Sequence, residues 1–110
     1  MNSRSKGKRG ELALSKKLNE FGFKTRRGQQ YSGIGGADVV GIDGVHIECK
    51  YTANGHGSTY EWIEQAVRDS KKGEIPVVMH KKVSKESKGN EWLVTMRLSD
   101  FKEFIHDEIL

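Results

Sequence analysis

A chain of 110 residues is long enough for one hydrophobic core and too short for two. Only 35% of its residues are hydrophobic and 31% are charged. No apolar run approaches the ~20 residues of a membrane span, and the first residues lack the apolar segment of a signal peptide, so no membrane partner and a cytoplasmic location are expected. The single cysteine, Cys49, excludes an intramolecular disulfide and a cysteine-type zinc cluster. His46, His56, His80 and His106 are scattered without ligand spacing, so structural zinc is not expected.

The net charge of +4 is unevenly spread. Residues 1 to 27 hold nine Lys and Arg against Glu11 and Glu20, whereas the rest holds ten against thirteen acids. A basic first quarter followed by an acidic remainder suits a polyanionic substrate and a divalent metal. A merely solvated surface is the competing reading.

Residues 1–7 read as a mobile basic arm preceding a single domain over residues 8–110. From Lys8 to Phe21 the residues Leu14, Leu18 and Phe21 recur at helical spacing, and Gly22 supplies a stop. Glu11 lies at the edge of that stripe; it is either a first-turn acid favoured by the helix dipole or an acid with a partner elsewhere. Phe23 to Arg27 alternates as a first strand. The next stretch, Gly28 to Gly36, is too glycine-rich for regular structure. It brings backbone and the polar groups of Gln29, Gln30, Tyr31 and Ser32 within reach of phosphate oxygens, or is a plain surface loop. It lacks the lysine and the strand-to-helix context of a P-loop, which excludes nucleotide binding of that kind.

Two β-branched runs then flank Asp43-Gly44, a dipeptide suited to a tight hairpin turn. Alternation puts Val45, Ile47 and Cys49 on one face of the second strand and His46, Glu48 and Lys50 on the other. Asp38, at the start of the first strand, falls near Glu48 to Lys50. Two carboxylates and an ammonium therefore meet at one end of a hairpin, and the apolar residues around them argue against an ordinary solvated strand face.

A polar loop, Tyr51 to Gly57, places Asn54 and His56 near the end of that strand. Ser58 to Glu61 has capping-box spacing, and Ile63, Ala66, Val67 and Ser70 form the buried stripe of a second helix ending at Gly73. Gln65 and Trp62 border the stripe. Ile75 to His80 and Trp92 to Met96 read as two further strands, joined by the Lys-rich segment Lys81 to Asn90, which either touches a polyanion or is solvated. A last helix opens at Leu98-Ser99-Asp100, with Phe101, Phe104, Ile105 and Ile109 as its apolar face, so Trp92, Phe101 and Phe104 are expected in the core.

Asp38 at a strand start and Glu48-Cys49-Lys50 on the next strand resemble the signature of the PD-(D/E)XK nuclease superfamily, an Asp followed by acid-x-Lys. The family's proline before the Asp is Ala37 here. The order helix, three strands, helix, two strands, helix is similar along nearly the whole chain to the α/β restriction-endonuclease-like fold, an αβββαβ core with a mixed central sheet flanked by helices. Within the superfamily the small size, Glu11, the glycine-rich approach to Asp38 and Gln65 look most like the Holliday-junction resolvases of archaea and their phage-encoded relatives.

The resemblance implies a metal-dependent DNA endonuclease. Mg²⁺, with Mn²⁺ able to substitute, would be held by Asp38, Glu48, the main-chain carbonyl of Cys49 and Glu11. Lys50 would orient or deprotonate the attacking water or stabilise charge on the phosphate, and Gln65 would stand beside it. DNA, branched in the resolvase reading, would meet Arg4, Lys6, Lys8, Arg9, Arg26, Arg27, Gln30, Tyr31 and Ser32. Two symmetric nicks imply a homodimer, with Trp92, Met96, Ile109 and Leu110 as surface candidates that are equally candidates for the core. A different nuclease of the same fold, restriction-type or flap-cutting, and a noncatalytic nucleic-acid-binding module are the alternatives.

Overall fold

The computed structural model of the chain describes residues 3–28, 36–53, 58–83 and 91–109, and within these the side chains of residues 7 to 105. Gln30, Tyr31, Ser32, Asn54, His56, Leu110 and most of the Lys81 to Asn90 segment lie outside the described residues, as do the side chains of Arg4, Lys6 and Ile109.

The first helix, α1 (Ser3–Glu20), starts at Ser3 and not at Lys8, so residues 3–7 of the expected arm continue the helix. Leu14 and Leu18 are buried by it, but Phe21 is 66% exposed. The chain has already left the helix at Phe21, whose N–H bonds back to the Leu18 carbonyl in the closing turn, and Lys17 stands over its ring instead. The first strand, β1 (Arg26–Arg27), is shorter than the alternation of Phe23 to Arg27 predicts. Thr25 explains the difference. Its N–H is taken by Oδ1 of Asn19 at 2.7 Å and its hydroxyl bonds to Ser15 at 2.9 Å, so this residue docks on α1 and makes no ladder bond there.

The hairpin comprises β2 (Val39–Val40) and β3 (Val45–Thr52). Asp43 and Gly44 occupy the centre of its turn, closed by Val45 N–H to the Ile42 carbonyl at 3.3 Å, with Gly44 at φ 78°. The turn is not the simple two-residue link. Val39 pairs with Ile47, so three steps separate Val39 from Ile42 where two separate Ile47 from Val45. The extra residue on the β2 side is a bulge, and it contains Gly41 at φ 124°. In a bulge-free register Val39 would oppose Glu48; the added residue moves it onto the apolar face with Ile47, because a one-residue slip exchanges the faces of a strand.

Beyond β3 come α2 (Thr59–Asp69), β4 (Ile75–Lys82), β5 (Leu93–Thr95) and α3 (Leu98–Ile109). Ser58 precedes α2 but makes no side-chain capping bond, so the expected capping box does not form. The sheet runs β1-β2-β3-β4-β5, with β3 and β4 parallel and the other neighbours antiparallel. The parallel pair needs a crossover, which α2 supplies. The architecture is thus α/β, a five-stranded mixed sheet flanked by helices.

Alternation divides the core between the two faces of the sheet. Leu14 and Leu18 of α1 pack with Val39, Ile47 and Val77 on one face. Ile63 and Ala66 of α2 pack with Val78 on the other. Glu48 opposes Val78 across the parallel pair and so lies under α2. Helix α3 is packed less closely than its apolar residues predict: Phe101 is 43% and Phe104 49% exposed, and both line an apolar cleft with Val77, Met79 and Met96. Trp92 is half-buried, stacked on Tyr51 with ring centroids 5.7 Å apart. Among the described residues no helix is long and apolar enough to cross a membrane.

Candidate functional site

The bulge carries Val39 into the core, and its neighbour Asp38 turns the other way, towards Glu48. Three bonds fix Asp38 in place: its N–H reaches the Ile47 carbonyl at 2.8 Å, its carbonyl accepts Gly28 N–H at 2.8 Å, and its Oδ2 accepts the main-chain N–H of Cys49 at 2.8 Å. The Asp38 and Glu48 side chains are close enough to hydrogen-bond each other. Burial, then the charge of Glu48, push the Asp38 carboxyl up to about 7, against the lowering effect of the Cys49 N–H; the charge of Glu11 adds a smaller push upward. At neutral pH the Asp38 carboxyl is thus poised between holding its proton and giving it up.

Glu48 is more deeply placed than a solvated acid-and-base face implies. It and His46, two residues earlier on the same face of β3, are each 2% exposed, and His46 Nε2 donates to Glu48 Oε1 at 2.7 Å. That hydrogen bond favours the imidazolium, and it outweighs the burial that opposes it, so the His46 pKa is raised. The sequence places both residues on one face; what it does not display is that α2 covers that face and drives them into each other.

Lys50, the next residue on this face, donates from Nζ to Oε1 of Gln65 on α2 at 3.1 Å. The expected neighbourhood of Gln65 is therefore formed, through the lysine. Cys49 points to the opposite face among the apolar residues under α1; burial above all raises its thiol pKa, which keeps it protonated. Its place in the site is through its main chain.

Glu11 approaches from α1, across the sheet edge. Its Oε1 accepts Arg27 Nε at 2.9 Å, while its charge still reaches Asp38 and Cys49. Arg27 bonds Glu11 through Nε while its side chain remains 37% exposed. Lys8, Arg9 and Arg26 are exposed. Arg26 and Arg27 also border a cleft with Gly28, Ala37, His46 and Lys71, on the side of the sheet that carries Glu48. Lys71 is a cation that the sequence reading did not assign to the site.

Among the described residues no three carboxylate, imidazole or thiolate side chains come together as a ready-made metal cage. Mg²⁺ does not require one: it keeps several waters and is held through one or two carboxylates together with other oxygens. A carboxyl pair, Glu48 buried and Asp38 half-buried with its pKa raised to about 7, an adjacent main-chain carbonyl at Cys49 and a third acid within electrostatic reach form a donor set that suits this hard cation. No protein-family description matches the chain, and no curated protein matches it.

Proposed function

We propose that the protein is a metal-dependent DNA endonuclease with the restriction-endonuclease-like fold of the PD-(D/E)XK superfamily, and that it acts on branched DNA in the manner of a Holliday-junction resolvase. The observation that carries this reading is that Asp38 meets Glu48 at the hairpin with Lys50 two residues along the same face, Asp38 being bonded to the Cys49 main chain and Lys50 to Gln65.

Asp38, Glu48 and the Cys49 carbonyl would hold Mg²⁺, with Glu11 as an outer acid that its bond to Arg27 keeps at the edge of the site. The cation would supply charge for the developing negative phosphate and lower the pKa of the attacking water. Lys50, held by Gln65 on the face that carries Glu48, would stabilise charge on the phosphate and orient the water in preference to abstracting a proton. Gln65 limits the rotamers of that long side chain. With the Asp38 pKa raised to about 7, a cation and a proton would compete for its carboxyl.

Arg26 and Lys71 would track the phosphates of a strand entering the cleft beside His46, with Lys8, Arg9 and the basic start of α1 meeting a further arm. One hydrolytic centre per chain makes one nick, so junction resolution requires a two-fold pair. The exposed Leu93 and Val94 of the edge strand β5, with Leu98, Phe101 and Phe104 of α3, form the apolar surface that a second copy would cover. Trp92, stacked on Tyr51, is less available for that role.

The test is incubation with labelled four-way junction, flap, duplex and single strand, with and without Mg²⁺, alongside sedimentation at micromolar concentration. Metal-dependent paired nicking of the junction by a dimer supports the reading. Equal cutting of junction and duplex by a monomer leaves a nuclease that is not a resolvase, and binding without cutting leaves a nucleic-acid-binding module.

A further inference from the structure

We propose that His46 is a positioning residue for this centre, fixing the carboxylate of Glu48 in the orientation from which it takes a divalent cation. The inference rests on the nuclease reading and adds to it a residue outside the acid-x-Lys motif.

Three groups must be held still for such a site to work, and each has a short, directed partner. Asp38 accepts the Cys49 N–H at 2.8 Å, and Lys50 donates to Gln65 at 3.1 Å. Of the two carboxylates Glu48, with three rotatable side-chain bonds against two in Asp38, has the larger freedom to lose, and His46 holds it at 2.7 Å. A second acid stands behind the ring, whose Nδ1 faces Glu74 Oε1 at 3.9 Å, and that same oxygen accepts the Lys71 N–H at 2.6 Å. A chain of polar contacts therefore runs from the turn after α2, through Glu74 and His46, to the acid at the centre.

Stability alone gives little reason for this arrangement. Burying a charged or strongly polar pair costs desolvation that its attraction offsets only in part, and an apolar pair of similar volume is often as stable or more so. The sheet buries apolar residues on both faces, as Ile47 of β3 and Val78 of β4 illustrate. What the pair adds is direction. Hydrogen-bonding Oε1 to the imidazole fixes the carboxylate plane and turns its other side towards Asp38, where a cation would take the place of the contact between the two acids, and partners of ligating carboxylates commonly alter metal affinity 10- to 100-fold when removed.

The experiment is a calorimetric titration of the folded, DNA-free protein with Mg²⁺, repeated with Mn²⁺ followed by electron paramagnetic resonance, on wild type, His46→Leu and His46→Gln. Leucine removes the donor at similar volume, whereas glutamine returns an N–H at similar reach. The expected result is cation affinity about 10- to 100-fold weaker in His46→Leu, and recovery to within about threefold of wild type in His46→Gln. The half-saturating Mg²⁺ for cleavage should rise in step, with turnover at saturating Mg²⁺ changed much less. Unchanged affinity in folded His46→Leu overturns the proposal, and so does a folded His46→Gln that stays as weak as the leucine variant. Should His46→Leu fail to fold, His46→Asn, whose amide falls short of Oε1, takes its place with the same expectation. A wild type that binds neither cation removes the nuclease reading itself; a wild type that binds and cuts, with the variants unchanged, removes only the role of His46.

Discussion

Oδ2 of Asp38 accepts the main-chain N–H of Cys49 at 2.8 Å, which ties the start of β2 to the strand that carries Glu48 and Lys50. An amide oxygen can accept the same bond, so Asp38→Asn keeps the tie while removing a carboxyl whose ionisation burial and Glu48 oppose. The variant is expected to be more stable than the metal-free wild type at pH 8, by about 1–3 kcal/mol at ~1.4 kcal/mol per pKa unit and allowing for partial solvent screening. Chemical denaturation of both proteins in chelator checks this; a less stable variant would mean that Asp38 supports the fold as an anion.

The pH dependence of the metal-free protein follows from the same groups. Asp38 rises from 3.8 to about 7 on folding, so between those values the folded state binds more protons than the unfolded one, and stability falls as pH increases. His46, also raised on folding by its bond to Glu48, acts in the same direction, its contribution being lost as pH climbs through its folded value. The thermal midpoint in chelator should therefore decline from pH 5 to pH 8. Mg²⁺ should raise it more at pH 8 than at pH 5, since at the lower pH it must displace a proton. Thermal scans across that range give the answer, and a midpoint that climbs with pH would contradict the assignment.

Gly41 is the backbone hinge of the site. It stands at φ 124°, and a Cβ there would run into the main-chain carbonyl of Lys24. Gly41→Ala should destabilise the fold by about 1–3 kcal/mol through strain and overpacking. Because the bulge sets which face Asp38 takes, the remaining folded protein should also lose Mg²⁺ affinity. Denaturation and calorimetry on this variant separate the two effects; wild-type stability would show that the bulge carries no such constraint.

Much of this arrangement is legible in the sequence. The Asp43-Gly44 turn, the alternation along Val45 to Lys50 and the succession of helices and strands need only local patterns, and they bring Asp38 near Glu48. The bulge at Gly41 is not legible, because the register depends on how Val39 packs against Leu14 and Val77. Nor is the depth of Glu48, which follows from α2 lying over the face that carries His46. Phe21 and Phe104 mislead for the opposite reason: an apolar residue at helical spacing marks a face, but what covers that face is decided by tertiary packing. The early start of α1 at Ser3 has no strong cap or apolar period to announce it.

In the nuclease reading, Lys50 would serve the chemistry and Gln65 would support it. Lys50→Ala should lose turnover while keeping Mg²⁺ affinity, since the lysine is not a ligand. Gln65→Ala should lose less, because it frees the ammonium without removing it. Single-turnover cleavage paired with calorimetry distinguishes these outcomes, and equal losses in the two variants would assign Gln65 a direct part in the reaction.

The most direct test of the central claim is single-turnover cleavage of a labelled four-way junction by wild type, Asp38→Asn and Glu48→Gln, each in Mg²⁺ and in chelator. Paired nicks by wild type in Mg²⁺ alone, with both variants binding the junction but leaving it uncut, is the predicted result. Cleavage that persists in chelator, or in either variant at the wild-type rate, would contradict it.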